Sequence, residues 1–280
     1  MDASSTAEKS HEESRLAFNE ALQALEATTR GPEGLLLRYA VAGSGQPLVL
    51  LHPFSDALEF WWDIGLAGRL ARRFRVIAID ARGHGGSDKP REPARYRIEH
   101  RVADVLAVLD AVQVDRAHIV GYSMGGWTAL GLASLAPTRL RSLVVGGAHP
   151  YAQDLTQLRR LLDGGMQRWC LVLERSLGAL PAAWRARAAR NDLAALRAVV
   201  ADDRTDQSEA LAKALAKAMA GVTVPIRWIV GELDPARDAV SRAAAATPGG
   251  DLVVVPASDH FQTFASAAFA DAVTEFLPHD

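Results

Sequence analysis

Short, nearly continuous apolar runs alternate along the chain with segments of helical spacing, and few folds accommodate this alternation. The runs are PLVLLHP, FRVIAID, AHIVGY, LRSLVVGGA, PIRWIVG and DLVVVPA, while RVADVLAVLDAV and FQTFASAAFADAVTEFL have helical spacing. Strands that are apolar on both faces need cover on both sides, as in a parallel sheet. The pattern therefore predicts an α/β fold with a mostly parallel, doubly wound sheet and helices on both faces.

Between Pro150 and Gly221 the strands stop, and only helix-like segments follow one another. These segments are YAQDLTQLRRLLDG, QRWCLVLERSLG, PAAWRARAARNDLAALRAVV and DQSEALAKALAKAM. Pro181 suits the first turn of the third helix, where a missing N–H costs nothing. We therefore expect a helical lid inserted between two strands of the core.

The chain accordingly divides into four expected parts. Residues 1–30 form a polar and partly helical extension, with an amphipathic helix from Ser14 to about Thr28. The α/β core comprises residues 31–149 and 222–280, and the helical lid comprises residues 150–221.

Charge and cysteine content exclude several classes of protein. The 280 residues carry a formal net charge of −2 with scattered arginines, which argues against a nucleic-acid binder. The single cysteine, Cys170, allows no internal disulfide. The first thirty residues contain no signal-peptide apolar core, and no apolar run reaches about eighteen residues. We expect a cytoplasmic protein without a membrane span, and a homo-oligomer is left open.

The stretch HIVGYSMGGWTAL places Ser123 between a strand and a helix. A tight strand-to-helix turn pushes the serine Oγ above the sheet edge, and it needs small residues two positions away on either side. Gly121 and Gly125 meet that need. The following helix directs its unpaired N-terminal N–H groups at the reaction centre, so the N–H of Met124 is a candidate oxyanion donor. The pattern predicts a nucleophilic serine.

A serine hydroxyl needs a general base, and the base needs an acid to orient it. Among eight histidines, His260 follows a strand and a short polar turn, which brings it to the sheet edge of Ser123. Asp234 follows the strand WIVG in the same way, and Asp154, after another strand, is the alternative acid. The structural alternatives are a surface histidine and a helix-capping aspartate.

Four motifs in this order, LLHPF, DARGHGGSD, GYSMGG and the pair GELDP and SDH, resemble the α/β-hydrolase superfamily over about residues 35–280. The resemblance implies a Ser-Asp-His triad that acts through an acyl-enzyme. It also implies a second oxyanion donor in the loop after the first motif. Family members usually have His-Gly-x there, whereas this chain has His52-Pro53-Phe54. Because proline has no N–H, the donor would be the backbone of Phe54.

Other polar motifs are assigned structural roles. His52 is expected to hydrogen-bond its own loop, and Asp80, His84 and Asp88 resemble the family's turn motif at the rim of the site. Asp88 stands where a dinucleotide-binding GxGxxG loop requires glycine, and no cluster of histidines and cysteines has metal-ligand spacing. We expect neither a metal nor an organic cofactor.

A serine nucleophile leads away from the family's epoxide hydrolases and haloalkane dehalogenases, which use a carboxylate. We expect Phe54 and Trp127 to line an apolar pocket. The predicted function is a carboxylesterase-like serine hydrolase that cleaves esters of small to medium apolar substrates. C–C bond hydrolysis, cofactor-free perhydrolysis (haloperoxidase chemistry) and acyl transfer would use the same residues, and a non-enzymatic ligand-binding protein is a further alternative.

Overall fold

A computed structural model describes residues 24–201 and 209–278, in which eight strands form a single sheet. They are β1 (Leu25–Arg30), β2 (Leu36–Ala42), β3 (Gln46–Leu51), β4 (Phe74–Ile79), β5 (Ala117–Tyr122), β6 (Leu140–Gly146), β7 (Ile226–Gly231) and β8 (Asp251–Val255). Their order is β1-β2-β4-β3-β5-β6-β7-β8. Strand β2 pairs antiparallel with both of its neighbours, and every other pair is parallel. The predicted α/β fold is confirmed.

Helices cover both faces of the sheet. They are α1 (Phe60–Asp63), α2 (Leu66–Leu70), α3 (Ile98–Ala111), α4 (Met124–Leu135), α5 (Thr156–Asp163), α6 (Gly165–Leu177), α7 (Ala182–Ala189), α8 (Leu193–Val199), α9 (Glu209–Ala220), α10 (Arg237–Ala246), α11 (His260–Ala265) and α12 (Ala267–Phe276). Successive side chains of a strand point to opposite faces. In β3, Val49 packs towards α3, α4, α9 and α10, whereas Leu48 and Leu50 pack towards α1, α2, α11 and α12. The sheet is therefore doubly wound.

The first strand corrects one prediction from the sequence. The expected helix from Ser14 to Thr28 lies partly outside the described residues, and its end belongs to β1, which pairs antiparallel with β2. Two β-branched residues, Thr28 and Thr29, favour an extended chain there. The Glu26 carboxylate lies 2.8 Å from the Arg38 guanidinium on β2. Pairing with the edge of β2 overrides the weak helical spacing, and the sheet begins at Leu25.

The block between β6 and β7 is helical, as its sequence predicts, but its third segment is two helices. The side chain of Asp192 accepts hydrogen bonds from the N–H groups of Ala194 and Ala195, which caps α8 and separates it from α7. The last helix, α9, buries Leu215 and Met219 against the sheet's main core rather than over the site. Helices α5 and α8 instead form a separate apolar cluster against which Phe54 and Met124 pack.

Within residues 24–201 and 209–278, none of the helices combines the length and the apolar character that crossing a bilayer requires.

Candidate active site

Ser123 lies at the turn between β5 and α4 in a backbone conformation that side chains seldom adopt. Its φ is 52° and its ψ is −113°. Its N–H donates a hydrogen bond to the carbonyl oxygen of Gly146 over 2.7 Å, which ties the turn to β6. A strained non-glycine residue held in place by its surroundings is typical of functional sites.

The two flanking glycines are sterically required. A Cβ at Gly121 would lie 2.3 Å from the carbonyl oxygen of Gly125, and a Cβ at Gly125 would lie 2.0 Å from the carbonyl oxygen of Leu51. Both neighbours are backbone atoms that cannot rotate away. The elbow therefore depends on the close approach of α4 to β3 and β5.

Replacing Gly125 with alanine should lower the free energy of unfolding by about 1–3 kcal/mol, because the new methyl group must push α4 away from β3. Urea denaturation measures this change. Gly68 is the matched control, since it lies in α2 and a Cβ there meets nothing within 4 Å. Gly68→Ala should leave stability unchanged or raise it by up to about 1 kcal/mol. Equal stabilities for the two variants would contradict the steric account.

The structure brings the three predicted side chains together above the carboxyl ends of β5, β7 and β8. His260 Nε2 lies 3.0 Å from Ser123 Oγ, and His260 Nδ1 lies 2.7 Å from Asp234 Oδ2. The carboxylate can only accept, so Nδ1 carries the proton and Nε2 is left to accept the serine proton. The Asp234 side chain is almost fully buried and also accepts a hydrogen bond from the N–H of Ala236 over 2.8 Å.

His260 is the first residue of α11, and hydrogen bonds to the backbone around it fix its position. Asp259 forms a capping box with Gln262, so its carboxylate caps the helix. The hydroxyl of Tyr122 donates a hydrogen bond to the carbonyl oxygen of His260 over 2.7 Å. Burial raises the pKa of Tyr122 well above its ordinary value, which keeps this donor protonated. The imidazole therefore starts from a fixed backbone position.

The other acids near the site have different partners. Asp154 accepts a hydrogen bond from the N–H of Thr156 over 2.8 Å, and its bonds to Thr156 lower the pKa of its exposed carboxyl group. Glu232 accepts from the N–H of Ala257 over 2.8 Å. Asp234 is therefore the acid that the structure brings to the histidine.

Two backbone N–H groups beside Ser123 are available for a ligand. In the described part of the chain, neither Phe54 nor Met124 donates its N–H to an acceptor, and both residues line the cavity that contains Ser123. His52 supports the loop, because its Nδ1 donates to the carbonyl oxygen of Pro53 over 2.8 Å and its Nε2 accepts from the N–H of Ala81 over 3.0 Å. These are the donors that the sequence predicted for an oxyanion.

The helical block holds the same loop from above. Ser55, which follows Phe54, has a φ of 64°. Its hydroxyl accepts a hydrogen bond from the Trp169 indole N–H over 2.6 Å, and its carbonyl oxygen accepts from the Asn191 amide over 2.7 Å. The Phe54 ring lies edge-on to Trp169 at 5.6 Å between centroids. Contacts from α6 and from the residues after α7 thus fix a strained turn beside a candidate oxyanion donor.

The cavity has a volume of about 460 Å³ and a wall of mixed character. The predicted lining residues Phe54 and Trp127 both contribute to it, together with Leu155, Leu158, Val199, Val200 and Pro235. Polar side chains also line it, namely Arg101, His149, Gln153 and Asp154. The sequence predicted an apolar pocket, whereas the wall of the cavity is partly apolar and partly polar.

Sequence reasoning missed three of these polar residues, namely Arg101, His149 and Gln153. Arg101 lies on the buried stripe of α3 between Ile98 and Val105, a position where the spacing suggests an apolar side chain. His149 follows the apolar strand β6, just as Asp234 follows β7. The rule that selected Asp234, a polar residue just beyond a parallel strand, would also have selected His149.

The turn motif after β4 makes structural hydrogen bonds to neighbouring loops and to β2, as its assigned structural role requires. The buried carboxylate of Asp80 accepts from the N–H of Leu58 over 2.7 Å and from Arg38 over 2.9 Å. Asp88 accepts from the N–H of Leu36 over 2.7 Å. His84 is fully buried, and its Nδ1 lies 3.1 Å from the carbonyl oxygen of Arg82. Burial holds the pKa of His84 well below its usual value.

This low pKa of His84 makes stability depend on pH. The unfolded chain takes up a proton below about pH 6.5, whereas folded His84 does not, so the free energy of unfolding should fall as the pH is lowered from there. The loss from this group amounts to at most about 1.4 kcal/mol per pH unit. The free energy of unfolding, measured by urea denaturation between about pH 7.5 and about pH 5.5, should therefore depend less steeply on pH for His84→Asn than for the wild type. Equal slopes would contradict the account.

Comparisons with known proteins agree with the fold. Residues 46–220 match a family model described as having the alpha/beta hydrolase fold. The crystal structure of a hydrolase from Pseudomonas aeruginosa PA01 superposes with a TM-score of 0.75 at 26% identity, over 90% of this chain and 97% of that one.

Curated relatives have several different names. A Bacillus subtilis protein with the provisional name 2-succinyl-6-hydroxy-2,4-cyclohexadiene-1-carboxylate synthase is 26% identical over 86% of this chain and 95% of its own length. The 2-hydroxymuconate semialdehyde hydrolase of Pseudomonas sp. (strain CF600) is 34% identical over 44% of this chain and 48% of its own length. The chain spans 44% of the length of a Mycobacterium tuberculosis relative to which it is 35% identical over 156 residues. Since the family model covers more than half of its residues, the chain belongs to the α/β-hydrolase fold family.

Proposed function

We propose that the protein is a serine hydrolase that cleaves carboxylic esters of small to medium size through an acyl-enzyme. The observation that carries the proposal is the unbroken hydrogen-bond chain from Asp234 through His260 to Ser123, which opens into a cavity. A serine within 3.0 Å of an imidazole that is oriented by a buried carboxylate is the arrangement needed for nucleophilic catalysis.

In the first half of the reaction, Ser123 Oγ attacks the ester carbonyl carbon while His260 Nε2 takes the hydroxyl proton. Asp234 stabilises the imidazolium that forms. The negative charge on the former carbonyl oxygen is held by the N–H groups of Phe54 and Met124. The C–O bond to the alcohol then breaks, the alcohol leaves with the proton from His260, and the acyl group remains on Ser123.

In the second half, water attacks the acyl-enzyme and gives its proton to His260. The second tetrahedral intermediate collapses, the bond to Ser123 Oγ breaks, and the proton on His260 returns to that oxygen. The carboxylic acid is released and the enzyme is regenerated, so the net reaction consumes one water molecule. Both halves use the same base and the same two N–H donors.

The helical block is proposed to act as a lid over this reaction. We propose the division into residues 1–30, 31–149, 150–221 and 222–280, except that Leu25–Arg30 belongs to the core sheet as β1. The covering role is carried by α5 to α8. The support is the apolar cluster that α5 and α8 form against Phe54 and Met124. A second support is the pair of hydrogen bonds from Trp169 and Asn191 to Ser55.

Turnover of ethyl and p-nitrophenyl esters with short and medium acyl chains tests the proposed function. The wild-type protein should hydrolyse several of them well above the rate measured with Ser123→Ala. Purified Ser123→Ala protein is the matched control, because it carries any contaminating esterase at the same level. If no ester in the panel is cleaved faster by the wild type than by this variant, ester hydrolysis is not its activity.

Hydrolysis of a C–C bond beside a ketone is the second candidate. It is favoured by the likeness to 2-hydroxymuconate semialdehyde hydrolase and by the polar side chains that share the cavity with Ser123. A vinylogous diketone added to the same panel separates the two activities. A kcat/KM for the diketone above that of every ester would favour this candidate.

A further inference from the structure

His149 is a second imidazole in the cavity that the proposed mechanism does not use. It follows β6, it lines the same cavity as Ser123 and His260, and it is only 8% exposed. Gly147, two residues earlier, also lines the cavity, and a Cβ at that position would lie 2.9 Å from Cε1 of His260. The segment that carries His149 therefore runs directly beside the proposed base.

The tautomer of this imidazole is set by its backbone neighbour. The N–H of Tyr151 donates to His149 Nδ1 over 3.3 Å, so in the neutral ring the proton is on Nε2. Burial, together with the charge of Arg242, lowers the pKa of His149 and favours this neutral form. Arg242 stacks over the Tyr151 ring at 4.1 Å, and that ring stacks beside His149 at 5.6 Å.

Because Nδ1 is hydrogen-bonded to Tyr151, Nε2 is the ring nitrogen that His149 can offer to a molecule in the cavity. No described residue pairs with Nε2, and the atom is not among those sealed from solvent. When a plain alkyl chain displaces the water bound to a buried N–H, that N–H is left without a hydrogen-bond acceptor, which costs binding free energy. A site of this kind discriminates against a substrate that lacks the matching acceptor.

We propose that the Nε2–H of His149 binds a second carbonyl-type oxygen of the substrate, so that keto or carboxylate esters are preferred to plain alkyl esters. This inference rests on the proposed ester hydrolysis and narrows its substrate class. A ketone and a carboxylate offer the same oxygen acceptor. The positive charge of Arg101, which also lines the cavity, would favour the anionic form, whereas the Asp154 carboxylate on the same wall would oppose it.

The preference is tested by measuring initial rates in a pH-stat with substrates that differ in the acyl part or in the alcohol part of the ester. On the acyl side the substrates are ethyl valerate, ethyl levulinate and monoethyl succinate. On the alcohol side they are butyl acetate and oxobutyl acetate. In at least one series the oxygen-bearing ester should have a kcat/KM roughly tenfold above its plain counterpart, as one neutral hydrogen bond provides. Preference for levulinate identifies a ketone, and preference for the succinate alone identifies an anion.

Three variants assign the preference to the imidazole. His149→Phe keeps a ring but lacks the donor. The ratio of kcat/KM for the preferred oxygen-bearing ester to kcat/KM for its plain counterpart should therefore fall to about one. His149→Gln should restore part of the ratio, because its amide N–H reaches to about the position of Nε2. His100→Phe is the matched control outside the cavity and should keep the wild-type ratio. Circular dichroism checks that each variant is folded.

Two results would overturn the inference, and a third would overturn the proposed function instead. Equal kcat/KM for plain and oxygen-bearing esters in both series would refute the preference. A wild-type ratio that persists in both folded His149 variants would refute the role of the imidazole. If no ester is cleaved faster than by Ser123→Ala, ester hydrolysis itself fails and the inference fails with it.

Discussion

Replacing Ser123 with alanine is expected to lower kcat for ester hydrolysis by roughly 10⁵- to 10⁶-fold. The variant loses the oxygen that forms the acyl-enzyme, and among residues 24–201 and 209–278 no other nucleophile lies within hydrogen-bond distance of His260 Nε2. Water cannot replace it efficiently, so only the oxyanion donors and the cavity still contribute. KM should change little, because the hydroxyl contributes little to ground-state binding.

The size of the Ser123 effect can be measured with a chromogenic ester at saturating concentration. Ser134→Ala is the matched control, since Ser134 lies on the same helix but lines a different cavity. This control should keep the wild-type kcat. A Ser123→Ala variant that retains more than about one hundredth of the wild-type kcat would mean that another group attacks the substrate.

Replacing Asp234 with asparagine is expected to lower kcat by roughly 10⁴-fold while leaving the fold intact. The amide keeps the shape and can still accept the hydrogen bond from Ala236. It no longer stabilises the imidazolium, and its N–H₂ can donate to Nδ1, which would place the ring proton on Nε2. That tautomer of His260 cannot accept the proton of Ser123.

Asp154→Asn distinguishes the two acids between which the sequence left the choice open. Because Asp154 bonds Thr156 and not His260, this variant should stay within about fivefold of the wild-type kcat. Both variants are compared at the same pH and at saturating ester. Loss of activity in Asp154→Asn, with near-normal activity in Asp234→Asn, would reverse the assignment.

The strands and the elbow could be predicted because their signals are local. Apolar runs covered on both faces require a parallel sheet, and parallel strands bring their carboxyl ends to one edge. That is why Ser123, Asp234 and His260 could be selected although the serine and the histidine are 137 positions apart. The strand β1 could not be predicted, because Thr28 and Thr29 give only a weak local signal and its conformation depends mainly on pairing with β2.

Most of the cavity wall was beyond the reach of sequence patterns. The rule that selected Asp234 would also have selected His149, but nothing local indicates that Arg101, Leu155 and Val199 line the same cavity. The hydrogen bond between Trp169 and Ser55 joins residues 114 positions apart. The break between α7 and α8 was within reach, since Asp192 is a good N-cap residue.

Labelling with a fluorophosphonate, followed by mass spectrometry of the proteolytic peptides, tests whether Ser123 is the activated nucleophile. The reagent needs an activated serine beside oxyanion donors, which is what the hydrogen-bond chain and the two free N–H groups should provide. We predict one adduct on the peptide that contains Ser123, slower labelling of Asp234→Asn, and none of Ser123→Ala. An adduct at another residue, or undiminished labelling of Ser123→Ala, would contradict the account.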